Sequence, residues 1–139
     1  MSQRTLCIIK PDATARSLTG QILARIEDAG LQILALKRLR LTQEQAGAFY
    51  GVHKGKPFYD ELCEFMTSGP VVVAALQHND AIAHYRALMG ATNPEQAAEG
   101  SLRKLFAESL TRNSVHGSDS PENGAIEIAF FFSNLDLVE

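Results

Sequence analysis

Apolar residues recur along this chain with two different periods, and the switches between them mark out the elements. Residues 4–10 carry a β-favouring run stopped by Pro11 and read as a first strand. From Thr19, a candidate cap, the apolar positions Ile22, Leu23, Ile26 and Ala29 follow a helical stripe that ends at Gly30. Residues 32–41 alternate best at their far end, with Arg38 and Arg40 facing one way and Leu39 and Leu41 the other, as in a half-buried strand. Thr42 and Gln45 have the spacing of a capping box and predict a short helix running to Tyr50.

After a loop holding His53, Lys54 and Lys56, Pro57 opens a helix whose stripe is Phe58, Leu62, Phe65 and Met66, closed by Ser68 and Gly69. Residues 71–76 form a continuous apolar strand. Asn79 or Asp80 caps the next helix, with Ile82, Tyr85, Leu88 and Met89 along one side before Gly90. A polar loop over residues 91–100 leads to a helix over 101–110. Residues 113–120 are small and polar apart from Val115 and leave room only for a very short strand. In 125–132, Ile126, Ile128 and Phe130 alternate like a strand, but Ser120-Pro121 is a helix start, and that signal predicts a helix through Phe132. The order resembles a split β-α-β arrangement, a small sheet with helices on one face, hence α+β. No repeat, low-complexity tract or linker interrupts it, so residues 1–139 are expected to form a single domain.

Composition narrows the class. With 45% hydrophobic and 21% charged residues in 139, the chain has the balance of a globular protein with a core. A net charge of -3 argues against a general nucleic-acid binder, which needs a basic face to neutralise phosphates. The apolar run near the N-terminus covers only residues 6–9, too short for a signal-peptide core or a membrane span. Cys7 and Cys63 have no CxxC or histidine partner nearby and are expected to be buried free thiols, in keeping with a cytoplasmic protein.

Candidate chemistry begins at Asn113-Ser114-Val115-His116-Gly117-Ser118-Asp119-Ser120. A histidine among small polar residues is off any apolar stripe, and neutral imidazole is a good nucleophile. Gly117 would leave room for a phosphoryl group, and Ser118 could bond to the ring or to the arriving oxygens; a plain surface loop accounts for the same residues equally well. Lys10, at a strand end, can reach a phosphate or sugar hydroxyl, although strand ends carry lysines routinely. Arg86 falls about 40° from Ile82 on a helical wheel, at the edge of the apolar stripe, where its guanidinium can either grip a phosphate or snorkel from the core. Arg103 has similar status, Thr92 offers a loop hydroxyl, and Phe58 is either a core ring or a stacking face for a nucleobase.

No GxSxG, GxxxxGK[ST] or GxGxxG is present, and His53, His78 and His84 show no zinc spacing. Residue chemistry alone reaches a candidate phosphate-handling enzyme and stops there.

The stretches IIKPDATARSLTGQILARIEDAG, HKGKPFYDELCEFMTSGPVVV, ALMGATNPEQAAEGSLR and NSVHGSDS, in order and correctly spaced over residues 4–132, resemble the nucleoside diphosphate kinase family. The resemblance implies a ferredoxin-like fold, a four-stranded antiparallel sheet with helices packed on it. It also implies ping-pong transfer of the γ-phosphate of a nucleoside triphosphate to a nucleoside or deoxynucleoside diphosphate through a phosphohistidine. By position His116 would be the nucleophile, held by Glu127 with Ser118 as its companion. Lys10, Tyr50, Arg86, Thr92 and Arg103 would form the phosphate clamp. Asn113 and Lys10 would meet the ribose hydroxyls, and Phe58 would stack on the base with Leu62 and Leu110 at its edges. Mg2+ should arrive with the nucleotide, with no protein ligand assigned. The family assembles as homo-oligomers built from dimers, tetramers or hexamers, and neither a membrane nor sequence-specific nucleic acid is expected as a partner.

The chain departs from the family pattern in two places. Lys104-Leu105-Phe106 replaces a small residue, an acid and an aromatic after Arg103, and Leu110 stands where valine is frequent. No residue of the transfer set is lost. The rival readings are a non-catalytic nucleotide-binding paralogue, an RNA-binding module on the same kind of sheet, and a protein-histidine phosphorelay partner.

Overall fold

In the computed structural model, which describes residues 2–139, the central element is a four-stranded sheet in the order β2-β3-β1-β4. The strands are β1 (Gln3–Ile9), β2 (Gln32–Leu39), β3 (Val71–His78) and β4 (Val115–His116). All three pairings are antiparallel, so β1 and β2 run the same way on either side of β3, and β3 and β4 on either side of β1. Two interleaved split β-α-β units follow, the ferredoxin-like arrangement. The helices are α1 (Pro11–Ala15), α2 (Thr19–Asp28), α3 (Gln43–Phe49), α4 (Tyr59–Met66), α5 (Ala81–Met89), α6 (Leu102–Phe106) and α7 (Pro121–Phe131).

Helices cover both faces of the sheet rather than one. Along β1, Leu6 and Ile8 pack with Tyr50, Phe65, Met66, Ile128 and Phe131 from α3, α4 and α7. Cys7 and Ile9 point the other way, against Ile22, Ile26, Tyr85, Met89 and Leu102 from α2, α5 and α6. The sequence signal for this is the unbroken apolar run of β3, whose first six residues are all buried. A strand with one wet face would alternate. Cys7 and Cys63 are free and buried, and burial pushes the Cys7 thiol up to about 12, leaving it unreactive at neutral pH.

Local signals placed most elements, with some differences at their ends. The capping box at the start of α3 forms with both bonds, Gln45 N to Thr42 Oγ1 and Thr42 N to Gln45 Oε1. Ser120 caps α7 by accepting from Asn123 N at 3.1 Å, and α7 is a helix despite its strand-like alternation. Thr19 is not a cap but the first residue of α2, which follows Leu18. The helix expected from Pro57 begins two residues later, because Phe58 serves as its N-cap. The helix expected over 101–110 stops at Phe106, where Ala107 turns to extended backbone and Glu108 N and Ser109 N both bond to Arg112 O. The five-residue α1 was not expected at all; Pro11 at its first position, taken as a strand terminator, also starts a helix.

Two details fix the edges of the sheet. A bulge between Ile33 and Ala35 takes Leu34 out of the β2–β3 ladder, and its carbonyl accepts Val138 N at 3.1 Å instead. Lys37 Nζ donates to Phe131 O at 2.6 Å, a cation at the C-terminal end of α7 where the helix dipole favours one.

Candidate active site

His116 sits on β4, opposite Ile8 in the register, at the rim of the sheet. Its Nε2 lies 2.9 Å from Glu127 Oε1. A carboxylate oxygen accepts, so in the neutral ring this contact places the proton on Nε2 and the free lone pair on Nδ1. The same Glu127 oxygen receives Ser118 Oγ at 2.7 Å, and that hydroxyl accepts Leu6 N at 3.1 Å. Ser118 therefore reaches the ring only through the carboxylate, not directly. Ser118 N in turn donates to Thr5 Oγ1, so β1 pins the whole segment.

Glu127 is aimed by the packing of α7. A Cβ on Gly124 would lie 2.5 Å from Arg4 O, so the helix rests directly on β1. Glu127, three residues on, shares that face. Gly117 has a similar reason for being glycine, and not the one expected from its place beside His116. A Cβ there would meet Met89 Sδ at 2.6 Å and the Tyr85 ring at 2.8 Å, so its bareness serves the close approach of α5 rather than room for a phosphoryl group.

Two cations bond to the segment that carries the ring. Lys10, at the end of β1, donates from Nζ to Asn113 Oδ1 at 2.9 Å. Burial, and then the nearby Arg103, pull its ammonium down to about 8, with Asp12 opposing them. Arg103 is almost wholly buried, donating to Gly90 O at 3.1 Å and Val115 O at 2.9 Å, while its Nε is buried without a partner. Burial and the proximity of Arg86 lower its pKa. Arg86 itself is exposed on α5. It helps an Asn123 hydrogen bond hold the Asp119 carboxyl below its usual range.

Tyr50, at the C-terminal end of α3, has a buried hydroxyl with no partner, and burial together with Glu127 pushes its pKa up. Phe49 bridges it to the histidine, with ring centroids 5.0 Å from Tyr50 and 5.8 Å from His116.

The remaining residues stand further out. Phe58 is half exposed at the start of α4, against His53 at 5.2 Å between centroids, and Leu62 follows one turn later. Leu110 is exposed on a loop whose carbonyl accepts Asn113 Nδ2 at 3.0 Å. Thr92 is exposed in the loop after Gly90. Between α4 and the 109–112 loop lies a cleft of about 510 Å³, lined by Glu61, Phe65, Thr111 and Arg112 among others. Lys104 and Leu105, where the chain departs from the family pattern, are on the exposed side of α6.

Three contributors went unread in the sequence: Phe49 beside the ring, and Asp12 with Ser114 behind Lys10. The KPD tripeptide held the signal for Asp12, an acid two residues from the lysine. Among the described residues no group of three or more His, Cys, Asp or Glu side chains could hold a metal, and no helix is long and apolar enough to cross a membrane.

An antiparallel α+β sheet that presents an anchored imidazole beside buried cations has the build of a phosphotransferase. The family model for nucleoside diphosphate kinase matches residues 3–137. A nucleoside diphosphate kinase from Maricaulis maris is 65% identical over 136 residues, covering 98% of this chain and 97% of its own. One from Ruegeria pomeroyi is 62% identical over the same shares. Among solved structures, the Aquifex aeolicus nucleoside diphosphate kinase superposes with a TM-score of 0.97 at 48% identity, covering 99% of this chain and 100% of that one. The Halobacterium salinarum enzyme, in complex with CDP, gives 0.95 at 39% identity, covering 100% and 93%. The chain belongs to the nucleoside diphosphate kinase family and is an enzyme of that class.

Proposed function

We propose that the chain moves the γ-phosphate of a nucleoside triphosphate to a nucleoside or deoxynucleoside diphosphate in two half-reactions through His116. The observation that carries the residue assignment is the Ser118–Glu127–His116 chain. It supports a tautomer with Nε2 protonated, in which Nδ1 is the attacking nitrogen. In the first half-reaction Nδ1 bonds to the γ-phosphorus as the bond to the bridging oxygen of the diphosphate breaks. The imidazolium that forms is stabilised through Nε2 by Glu127. A second diphosphate then attacks the same phosphorus, and His116 returns unchanged.

Lys10, Tyr50, Arg86, Thr92 and Arg103 are the groups we assign to the phosphates. The unpartnered Arg103 Nε and Tyr50 hydroxyl support this, as buried donors with no protein acceptor. Asn113 and Lys10 already bond to each other and would share the ribose hydroxyls, since an ammonium has further donors to offer. Phe58 would stack on the base between Leu62 and Leu110, consistent with the exposure of its ring. That the Halobacterium salinarum relative is in complex with CDP supports a nucleotide as ligand. Mg2+ would come as part of the nucleotide substrate, neutralising its phosphate oxygens.

We read residues 1–139 as one domain and the protein as a cytoplasmic homo-oligomer built from dimers. The outer edge of β2 beyond the Leu34–Val138 bond, with Leu36 half exposed, supports pairing between copies.

Intact-mass analysis after incubation with ATP and Mg2+ tests the reading. The wild type should gain one phosphate that is lost in acid, kept in base and discharged by GDP to give GTP, and His116→Ala should gain none. Nucleotide binding without phosphate uptake would make the chain a non-catalytic binder.

A further inference from the structure

One buried acid beside the site has no role in the transfer as described. Asp12, two residues after Lys10, is 4% exposed. Its Oδ2 accepts Ser114 Oγ at 3.2 Å and lies 3.6 Å from Arg16 Nη2, while Oδ1 is buried with no partner. Ser114 is the centre of a tight turn, with Val115 N donating to Asn113 O at 2.9 Å. Its φ of 73° is in the left-handed region, where a side chain with a Cβ is strained. Such a turn persists only when its surroundings hold it.

Two anchors do so, and both come from the Lys10-Pro11-Asp12 corner. Lys10 N donates to Ser114 O at 2.8 Å, and Asp12 takes the Ser114 hydroxyl. On one side of the turn is Asn113, whose amide oxygen receives Lys10 Nζ; on the other, Val115 and His116 enter β4. Lys10, Asn113, Ser114 and Asp12 therefore close a ring of contacts around the backbone that carries the nucleophile.

We propose that Asp12 is a positioning residue for the transfer site, gripping Ser114 to hold the strained turn and setting a compensating negative charge against Lys10. The inference rests on the part given to Lys10 and Asn113 under Proposed function. The charged groups acting on Lys10 are Arg103 from α6, which drives its proton off, and Asp12 from α1, which keeps it on. Burial lifts the Asp12 carboxyl above its usual range, while the Ser114 hydroxyl, Lys10 and Arg16 oppose burial and favour the ionised form. Without the carboxylate, a lysine already drawn down by burial would lose its charge at lower pH still.

The test uses the full chain labelled with 13C-lysine, with Lys10→Arg to assign the Lys10 signal. Asp12→Asn keeps the shape and removes the charge. It should lower the Lys10 titration midpoint by about one pH unit. The alkaline limb of single-turnover His116 phosphorylation by Mg2+-ATP should move to lower pH by the same interval. An unchanged Lys10 midpoint overturns the proposal. A shifted midpoint with an unshifted rate profile upholds the Asp12–Lys10 coupling and removes Lys10 from the transfer. Should Asp12→Asn fail to fold, Ser114→Ala decides the matter, since alanine keeps the strained turn and lacks only the hydroxyl. It should raise the nucleotide KM about fivefold with kcat nearly constant, the effect of one lost hydrogen bond at Asn113's support. Wild-type KM and kcat in that variant would sink the idea of a grip.

Discussion

Gly124 lies against the carbonyl oxygen of Arg4 so closely that a Cβ would come within 2.5 Å of it. The contact fixes the height of α7 above β1, and with it the reach of the Glu127 carboxylate to His116. Alanine within a helix is ordinarily better than glycine by about 1 kcal/mol. Here a backbone oxygen cannot step aside, so the clash outweighs that gain. Gly124→Ala should destabilise the chain by about 1–3 kcal/mol in urea unfolding and slow phosphorylation of His116. A more stable, fully active variant would remove α7 height as the determinant.

Ser118→Ala separates two functions of one hydroxyl. It leaves Leu6 N–H buried without its acceptor, which should cost about 1–3 kcal/mol of stability. It also removes a donor from Glu127 Oε1, loosening the carboxylate that orients the ring. Stopped-flow mixing with ATP should show a slower phosphorylation step, with the tautomer still set by Glu127.

Tyr50→Phe should part stability from activity in the opposite sense. The hydroxyl is buried and without a protein partner, so its loss leaves the urea midpoint unchanged or slightly raised. If it meets a phosphate oxygen in the reacting complex, kcat should fall about tenfold, the worth of one such contact. Equal kcat in both proteins would take Tyr50 out of the clamp.

The rate should also carry the signature of Lys10, whose ammonium burial pulls down to about 8 from the ordinary 10.5. In the proposed clamp its charged form meets the phosphates, so kcat/KM should fall about tenfold per unit of pH above that point. The sign for stability is reversed. Between the two values the unfolded chain binds more protons, so this group's contribution to folding improves as pH rises. Rate profiles and urea melts over the same alkaline range should diverge. Parallel decline would point to simple unfolding.

Phe58→Ala should raise KM for every nucleotide by roughly fivefold or more, because a base stacked on a ring contributes about 1–3 kcal/mol. The rate of phosphoryl transfer at saturation should hardly move. Steady-state kinetics with purine and pyrimidine diphosphates would check both halves.

How much of this could be read from the chain depends on how local the cause is. The capping box at Thr42 and Gln45 lies within four residues, and it forms as the spacing implies. The end of α6 was not legible, because Glu108 and Ser109 are turned aside by the carbonyl of Arg112 and not by any breaker of their own. Gly117 was legible as a special position, but its cause is the packing of Tyr85 and Met89 from a distant helix. Helices on both faces were foreshadowed by the unbroken run in β3, a pattern that α+β reasoning alone did not use. In the site, residue chemistry singled out His116, Lys10, Arg86 and Arg103, and only the family resemblance supplied Glu127 and Tyr50. The bond between Lys10 and Asn113 joins residues 103 positions apart, which no spacing argument reaches. Likewise His78 and His84, scattered in the sequence, stack at 4.2 Å in the fold.

The position of His116 on a two-residue strand at the sheet's rim has a chemical price. With its side chain about a fifth exposed, the ring is open to nucleotides arriving from solvent and, by the same opening, to water. Under the proposed transfer, a phosphate on Nδ1 would therefore be a store that leaks. In a chain supplied with triphosphate but starved of acceptor, the phosphorylated form should decay by slow hydrolysis, and its lifetime, set by how well bound nucleotide shields the rim, bounds how long one donor can wait for the next.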